Sequence, residues 1–241
     1  MPPIHATASA SPTVALATAA HVREHGSVLA AAEKRLLVWL AERLPHAINS
    51  DHLTALGAVA MLGGGAAFWA ASWDRRALWL VPAMLALNWF GDSLDGTVAR
   101  VRGQQRPRYG YYLDHVVDIG NTAALFGGMA ASGLMHPVIG MGVLLGYVML
   151  CAESFLATHA LGVFRISFSG IGPTELRILL GIGAVVAIGR PVVTPFGWAP
   201  VPLFDVGGVV AVMGMSGAFV ASAWRNARVL YNAEPLPRGG R

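Results

Sequence analysis

Apolar residues occur along this chain in six long runs, which short polar or charged connections separate. The runs approach the length of about 20 residues that a helix needs to cross a membrane. We therefore predict an all-α integral membrane protein with six transmembrane helices. The predicted spans cover residues 53–73, 77–97, 110–133, 138–160, 174–189 and 203–223.

A different pattern precedes the first run. Apolar residues recur at helical spacing between residues 27 and 44, and charged residues fill the other positions. This pattern predicts an N-terminal amphipathic helix in the membrane interface; the alternative is a soluble helix that binds a partner. We expect residues 1–26 to form a flexible cytoplasmic tail, residues 45–228 one six-helix domain, and residues 229–241 a second cytoplasmic tail.

Composition supports the membrane assignment. The chain is 55% hydrophobic and 12% charged, whereas soluble domains carry roughly 25% charged residues. The net charge of +4 would suit nucleic acid, but the arginines cluster at the ends of apolar runs, where anionic lipid head groups explain them better. Of 17 basic residues, only Arg75, Arg76 and Arg190 fall on the predicted outer side, so the positive-inside bias sets the orientation. We expect membrane lipids, and no nucleic acid, as partners.

Four carboxylates interrupt the apolar pattern at the end of the second span and the start of the third. Two are spaced i, i+3 and two i, i+4, so each pair projects from one helix face. Acids packed this closely repel one another unless a positive charge neutralises them. Oxygen ligands suit Mg²⁺, Mn²⁺ or Ca²⁺ better than zinc. The residues are Asp92, Asp95, Asp114 and Asp118.

The motif Asp92-x2-Asp95-Gly96-x2-Ala99-Arg100-x9-Gly110-x3-Asp114-x3-Asp118 resembles the signature of the CDP-alcohol phosphotransferase family of integral membrane enzymes. The resemblance implies transfer of a substituted phosphate from a CDP-linked donor to an alcohol, with release of CMP. It implies Mg²⁺ or Mn²⁺ as cofactor, as two ions held by the four aspartates, with Ca²⁺ as a non-productive occupant. Asp118 is then the base, and a homodimer is expected. Gly96, Ala99, Arg100 and Gly110 would shape the cytidine and phosphate pocket, with Arg100 alternatively holding an aspartate.

The substrates stay open at this point. Compact family members use CDP-diacylglycerol and a polar alcohol, whereas His115 resembles the branch that transfers a phospho-amino-alcohol to a lipid acceptor. We expect an acceptor pocket beside the acids, although polar pairing, helix capping and anchoring to lipid phosphates are alternative roles for its residues. The pocket residues would be Glu153, Arg165, Glu175 and Arg177.

Two other functions compete with the enzyme. Acids within membrane spans also mark ion or solute transporters, and a structural membrane protein that lost activity could retain the motif. Arginines beside the acidic motif place it on the cytoplasmic side, and we expect the bacterial inner membrane as the location.

Overall fold

A computed structural model describes residues 30–161, 173–197 and 199–234. In these ranges the chain forms one short helix followed by six longer ones. The helices are α1 (Ala30–Arg43), α2 (Ser50–Ala70), α3 (Leu80–Val101), α4 (Pro107–Ala131), α5 (Pro137–Leu161), α6 (Pro173–Gly189) and α7 (Leu203–Ala233). The predicted tail 1–26 lies outside the described residues.

Helix boundaries follow local capping chemistry. Asn49 caps α2 by accepting a hydrogen bond of 3.0 Å from the His52 amide, and the His52 ring accepts one from the Asn49 amide. Asp74 similarly begins a 3-10 turn, Arg75–Trp79, that leads into α3. Between α6 and α7, strands β1 (Val192–Val193) and β2 (Val201–Pro202) pair antiparallel. Helix α7 ends at Ala233, ten residues beyond the predicted end of the sixth span. The first residues of the predicted second tail, 229–233, are therefore helical.

Among the residues that the structure describes, four helical segments are long and apolar enough to cross a membrane: Ser50–Ala70, Arg75–Val101, Pro137–Leu161 and Leu203–Ala233. These segments indicate an integral membrane protein, as the sequence predicted. Helix α4 carries charged residues at its start, and α6 has 17 residues. The count of six membrane spans therefore stays a prediction.

Glycines bring the backbones of α2, α3 and α4 into close contact. A Cβ atom at Gly91 of α3 would lie 2.5 Å from the Leu53 carbonyl oxygen and 2.6 Å from the Gly57 nitrogen of α2. A Cβ atom at Gly128 of α4 would overlap the Gly65 carbonyl of α2. Gly65 and Gly128 therefore serve to pack α2 against α4 within the protomer.

In the described part of the chain, two buried apolar clusters hold the bundle together. The larger joins α2, α3, α4, α6 and α7, where Phe68 meets Phe204 edge to face at 5.5 Å. The smaller lies at the other end of α3, and it fastens α1 to the bundle. Its buried members are Leu37, Ala41, Leu53, Leu94 and Val98.

Helix α1 thus packs against α3 with one face and leaves the other exposed. Leu37 and Ala41 are buried, whereas Leu36 is 45% and Trp39 50% exposed. The amphipathic pattern predicted this division, and a location in the membrane interface stays a prediction. The described part of the helix begins at Ala30.

Arginines of the α3–α4 connection bind the segment between α1 and α2. The Arg102 guanidinium donates to the carbonyls of Leu44 at 2.8 Å and Ile48 at 2.6 Å. Arg106 pairs with Asp51, and this hydrogen bond raises the pKa of the Arg106 guanidinium above its ordinary value. Both arginines therefore have protein partners in addition to any lipid contact that the positive-inside pattern suggests.

Candidate active site

The acidic motif folds into a cluster where α3 faces α4. One carboxylate oxygen from each of Asp92, Asp114 and Asp118 lies within 4.8 Å of the other two, and all three residues are half-buried. Asp114 and Asp118 share one face of α4 because they are one turn apart. Carboxylates at this separation disfavour one another's charged forms unless a cation lies between them.

Asp95 faces the same cavity but is held by α2. Its carboxylate accepts a hydrogen bond of 2.6 Å from Thr54 Oγ1, and it also accepts one from the Gly96 amide. The empty space between the three helices, including the part open to solvent, measures about 210 Å³. It is lined by Thr54, Gly57, Ala58, Asn88, Asp92, Asp95, Asp114, Val117, Asp118 and Asn121.

A positive side chain reaches this cluster from α6. Arg177 donates from Nη2 to Asp92 Oδ2 at 2.5 Å and from Nε to Asn88 Oδ1 at 2.8 Å. Asn88 is fully buried and donates to the Gly57 carbonyl at 2.9 Å, so its amide is satisfied on both sides. We expected Arg177 in an acceptor pocket. The structure places its guanidinium directly on an aspartate of the motif.

The small and basic residues of the motif are absent from the cavity lining given above. Arg100 donates to Thr97 Oγ1 at 2.9 Å, and a Cβ atom at Gly96 would lie 3.3 Å from Arg100 Nη1. Gly110 is exposed, with no atom within 4 Å of a Cβ added there, and Ala99 is half-buried. At Gly110 there is room for a ligand to approach the backbone.

Of the other expected acceptor residues, the structure describes Glu153 and Glu175. Glu153 of α5 accepts hydrogen bonds from α7, at 2.9 Å from Ser222 Oγ and 2.7 Å from Asn226 Nδ2. Glu175 is half-buried in the first turn of α6. Arg165 lies outside the described residues. A shared acceptor pocket therefore stays a prediction.

His115 follows Asp114 but lies on a different side of α4. Its Nδ1 lies 2.6 Å from the Tyr111 carbonyl oxygen, and its ring lies between Tyr111 and Phe155, at centroid distances of 4.2 and 5.2 Å. His115 is absent from the cavity lining given above. His115 therefore packs beside the site, although it is adjacent to Asp114 in the sequence.

Several residues of the site escaped the sequence reasoning. Asn88 stands one turn before Asp92, and Thr54 and Gly57 come from α2, which carries no acid of the motif. Continued by one turn along α4, the face of Asp114 and Asp118 reaches Asn121, and the same step taken backward along α3 from Asp92 reaches Asn88; both line the cavity. Tyr147 and Cys151 of α5 lie near Asp118, and no spacing rule relates them to the motif.

The family model for CDP-alcohol phosphatidyltransferases matches residues 50–222, which include the whole acidic cavity. The chain belongs to this family. Membership makes the chain a CDP-alcohol phosphotransferase, as its motif predicted, and disfavours the transport alternative. No curated protein matches the chain.

Two solved structures resemble the fold, both of phosphatidylinositol phosphate synthase from Mycobacterium tuberculosis. One, with CDP-DAG bound, has a TM-score of 0.60 and 21% identity, over 86% of this chain and 98% of that one. The other, in complex with manganese and citrate, has a TM-score of 0.52 and 21% identity, over 87% of this chain and 93% of that one. At 21% identity, these matches show that the chain shares the fold of the synthase.

Proposed function

We propose that the chain transfers a phosphatidyl group from CDP-diacylglycerol to a polar alcohol and releases CMP, with divalent metal held by the aspartates of the motif. The observation that carries the proposal is the meeting of Asp92, Asp114 and Asp118 within 4.8 Å. Oxygen donors in this number fit Mg²⁺ or Mn²⁺, and Arg177 supplies only part of the compensating charge.

The donor is inferred from two observations. First, the similar mycobacterial synthase was crystallised with CDP-DAG. The manganese complex of the same synthase separately supports a divalent cofactor. His115, which suggested the amino-alcohol branch, packs between Tyr111 and Phe155. The sequence feature that favoured an amino-alcohol donor therefore has a structural explanation.

Different residues of the site would have different roles in the reaction. When bound, the metal neutralises the pyrophosphate and stabilises charge on the leaving CMP. Asp92, Asp114 and Asp118 would hold it, and Asp95, fixed by Thr54, would complete the set. We propose two ions, Ca²⁺ being a non-productive occupant. Gly96, Ala99, Arg100 and Gly110 would admit the cytidine and phosphate groups.

Asp118 is proposed to accept the proton of the attacking hydroxyl. The alcohol oxygen forms a bond to the phosphorus that carries the diacylglycerol, and the bond from that phosphorus to the oxygen retained by CMP breaks. A base is needed because a neutral hydroxyl is a weak nucleophile. The position of Asp118 in the acidic cluster and in the cavity lining supports this role.

The test is a donor comparison with purified protein. CDP-diacylglycerol, CDP-choline and CDP-ethanolamine are each supplied with Mg²⁺ or Mn²⁺ and with polar alcohols or diacylglycerol, and CMP is measured. We expect release with CDP-diacylglycerol and none in chelator. Activity that persists in chelator contradicts the metal mechanism, and activity with the CDP-amino-alcohols alone contradicts the donor assignment.

The surroundings of the enzyme follow from the same reasoning. We propose a homodimer in the bacterial inner membrane, with the acidic cavity open to the cytoplasm. The support is the clustering of arginines around the motif and the exposed small residue Gly127 on α4.

A further inference from the structure

Glu33 of α1 connects two helices of the site without lining the cavity. Its Oε1 accepts hydrogen bonds from Trp89 Nε1 of α3 at 2.7 Å and from Thr174 Oγ1 of α6 at 2.9 Å. Glu33 and Thr174 are 141 positions apart in the sequence. A single carboxylate oxygen therefore fastens three separate helices.

The packing of α1 explains why Glu33 points there. Leu37 and Ala41 follow Glu33 at i+4 and i+8, so all three lie on one face. The two apolar residues are buried against Leu94 and Val98 of α3. Glu33 extends this packed face and is half-buried. Hydrogen bonds to a charged group are stronger than those between neutral groups.

The two partners of Glu33 adjoin the ion pair of the active site. Thr174 precedes Arg177 by three residues on α6, which is close to one helical turn. Trp89 follows Asn88 on α3, and Arg177 binds both Asn88 and Asp92. The Glu33 contacts thus hold the helices from which the two sides of the Arg177–Asp92 pair project.

We propose that Glu33 is a positioning residue that keeps the first turn of α6 against α3, so that Arg177 stays on Asp92. The inference rests on the proposed function, because it gives the Arg177–Asp92 pair a part in the reaction. It assigns α1 a role beyond membrane contact: the amphipathic helix supports the active site through one side chain.

The first test compares Glu33→Ala with Glu42→Ala, which removes an exposed acid from the same helix. We expect about a tenfold lower kcat/KM for Glu33→Ala, since two hydrogen bonds are lost, and no change for Glu42→Ala. Glu33→Gln should retain activity within about threefold, because its amide oxygen can accept both hydrogen bonds. Wild-type activity in Glu33→Ala, or a Gln variant as impaired as the Ala variant, would overturn the proposal.

A second test separates positioning from general stability. In an Arg177→Ala background, adding Glu33→Ala should lower kcat/KM no further, because the group that Glu33 positions is already gone. An additional tenfold loss in that background would show that Glu33 acts by another route and would overturn the proposal.

A third measurement does not depend on catalysis. Amide hydrogen exchange of residues 177–181, whose amides donate to carbonyls of residues 173–177 at the start of α6, should be faster in Glu33→Ala than in wild type or Glu42→Ala. Unchanged exchange would overturn the connection to α6. If wild-type protein released no CMP from any donor, the proposed function would fail, while this exchange experiment would still test the structural connection.

Discussion

Acids lie within the helix bundle in two different settings. Between α3 and α4, Asp92, Asp114 and Asp118 gather within 4.8 Å of one another. At the α5–α7 contact, Glu153 stands opposite Ser222 and Asn226, and each of its carboxylate oxygens accepts a hydrogen bond from a neutral donor. The first arrangement concentrates negative charge, whereas the second stabilises one charge locally.

The difference separates the proposed metal site from a contact that joins two helices. Clustered carboxylates require a cation, so their geometry points to a ligand that supplies positive charge. A carboxylate that receives two hydrogen bonds joins two helices without any ligand. Both settings gave the same sequence signal, an acid within an apolar span, and only their partners distinguish them.

The largest expected effect comes from removing one member of the cluster. Asp114→Asn keeps the shape of the side chain but removes the charge of a proposed metal ligand, which should cost about 4 kcal/mol of transition-state stabilisation, or about 10³-fold in metal-dependent kcat. CMP release measures the effect, and circular dichroism with size-exclusion chromatography checks folding. Asp92→Asn should behave similarly. A folded Asp114→Asn protein with wild-type CMP release would contradict the proposed difference between the acidic cluster and Glu153.

The guanidinium beside the cluster should matter next. Arg177→Ala loses the contacts to both Asn88 and Asp92, and kcat/KM should fall by about 10- to 100-fold, as for other groups that orient metal ligands. Arg177→Lys should fail to restore activity, because an ammonium lacks the planar fork that reaches two partners. Rescue by lysine would mean that charge alone suffices, and the matched pair of variants decides between these explanations.

A smaller effect should follow from disturbing the helix contact behind the cluster. Gly91→Ala places a Cβ atom against the backbone of α2, and we expect a loss of about 1–3 kcal/mol in stability with reduced CMP release, since Asp92 is the next residue. Thermal unfolding in detergent measures the first effect. Gly214→Ala, at an exposed position of α7 with no atom within 4 Å, is the control and should not destabilise the protein. Equal stability of both variants would contradict the close approach.

The smallest effect is expected at the second setting. Glu153→Gln can still join α5 to α7 through its amide, so CMP release should change by less than about threefold, with a loss of roughly 1 kcal/mol in stability. Glu153→Leu should be less stable because Ser222 and Asn226 lose their acceptor. A folded Glu153→Gln protein without activity would place Glu153 in the reaction after all.

The sequence predicted the helical character, the approximate spans and the acidic motif because each depends on local spacing. Asp92, Asp95, Asp114 and Asp118 lie at i, i+3 and i, i+4, and their faces follow from helix geometry alone. Less could be predicted where separate helices meet. Arg177 reaches Asp92 across 85 positions, and Thr54 reaches Asp95 from α2. Pairing of this kind depends on how helices pack, which no local pattern encodes.

By itself, the amino-acid sequence determined the apolar spans, the amphipathic face of α1, the capping of α2 at Asn49 and the presence of a signature that identifies the family. Tertiary structure decided which acids share one cavity and which receive neutral partners. The physical reason is distance: charge repulsion and hydrogen bonding act over a few ångströms, and the side chains concerned approach one another only after α2, α3, α4 and α6 have packed.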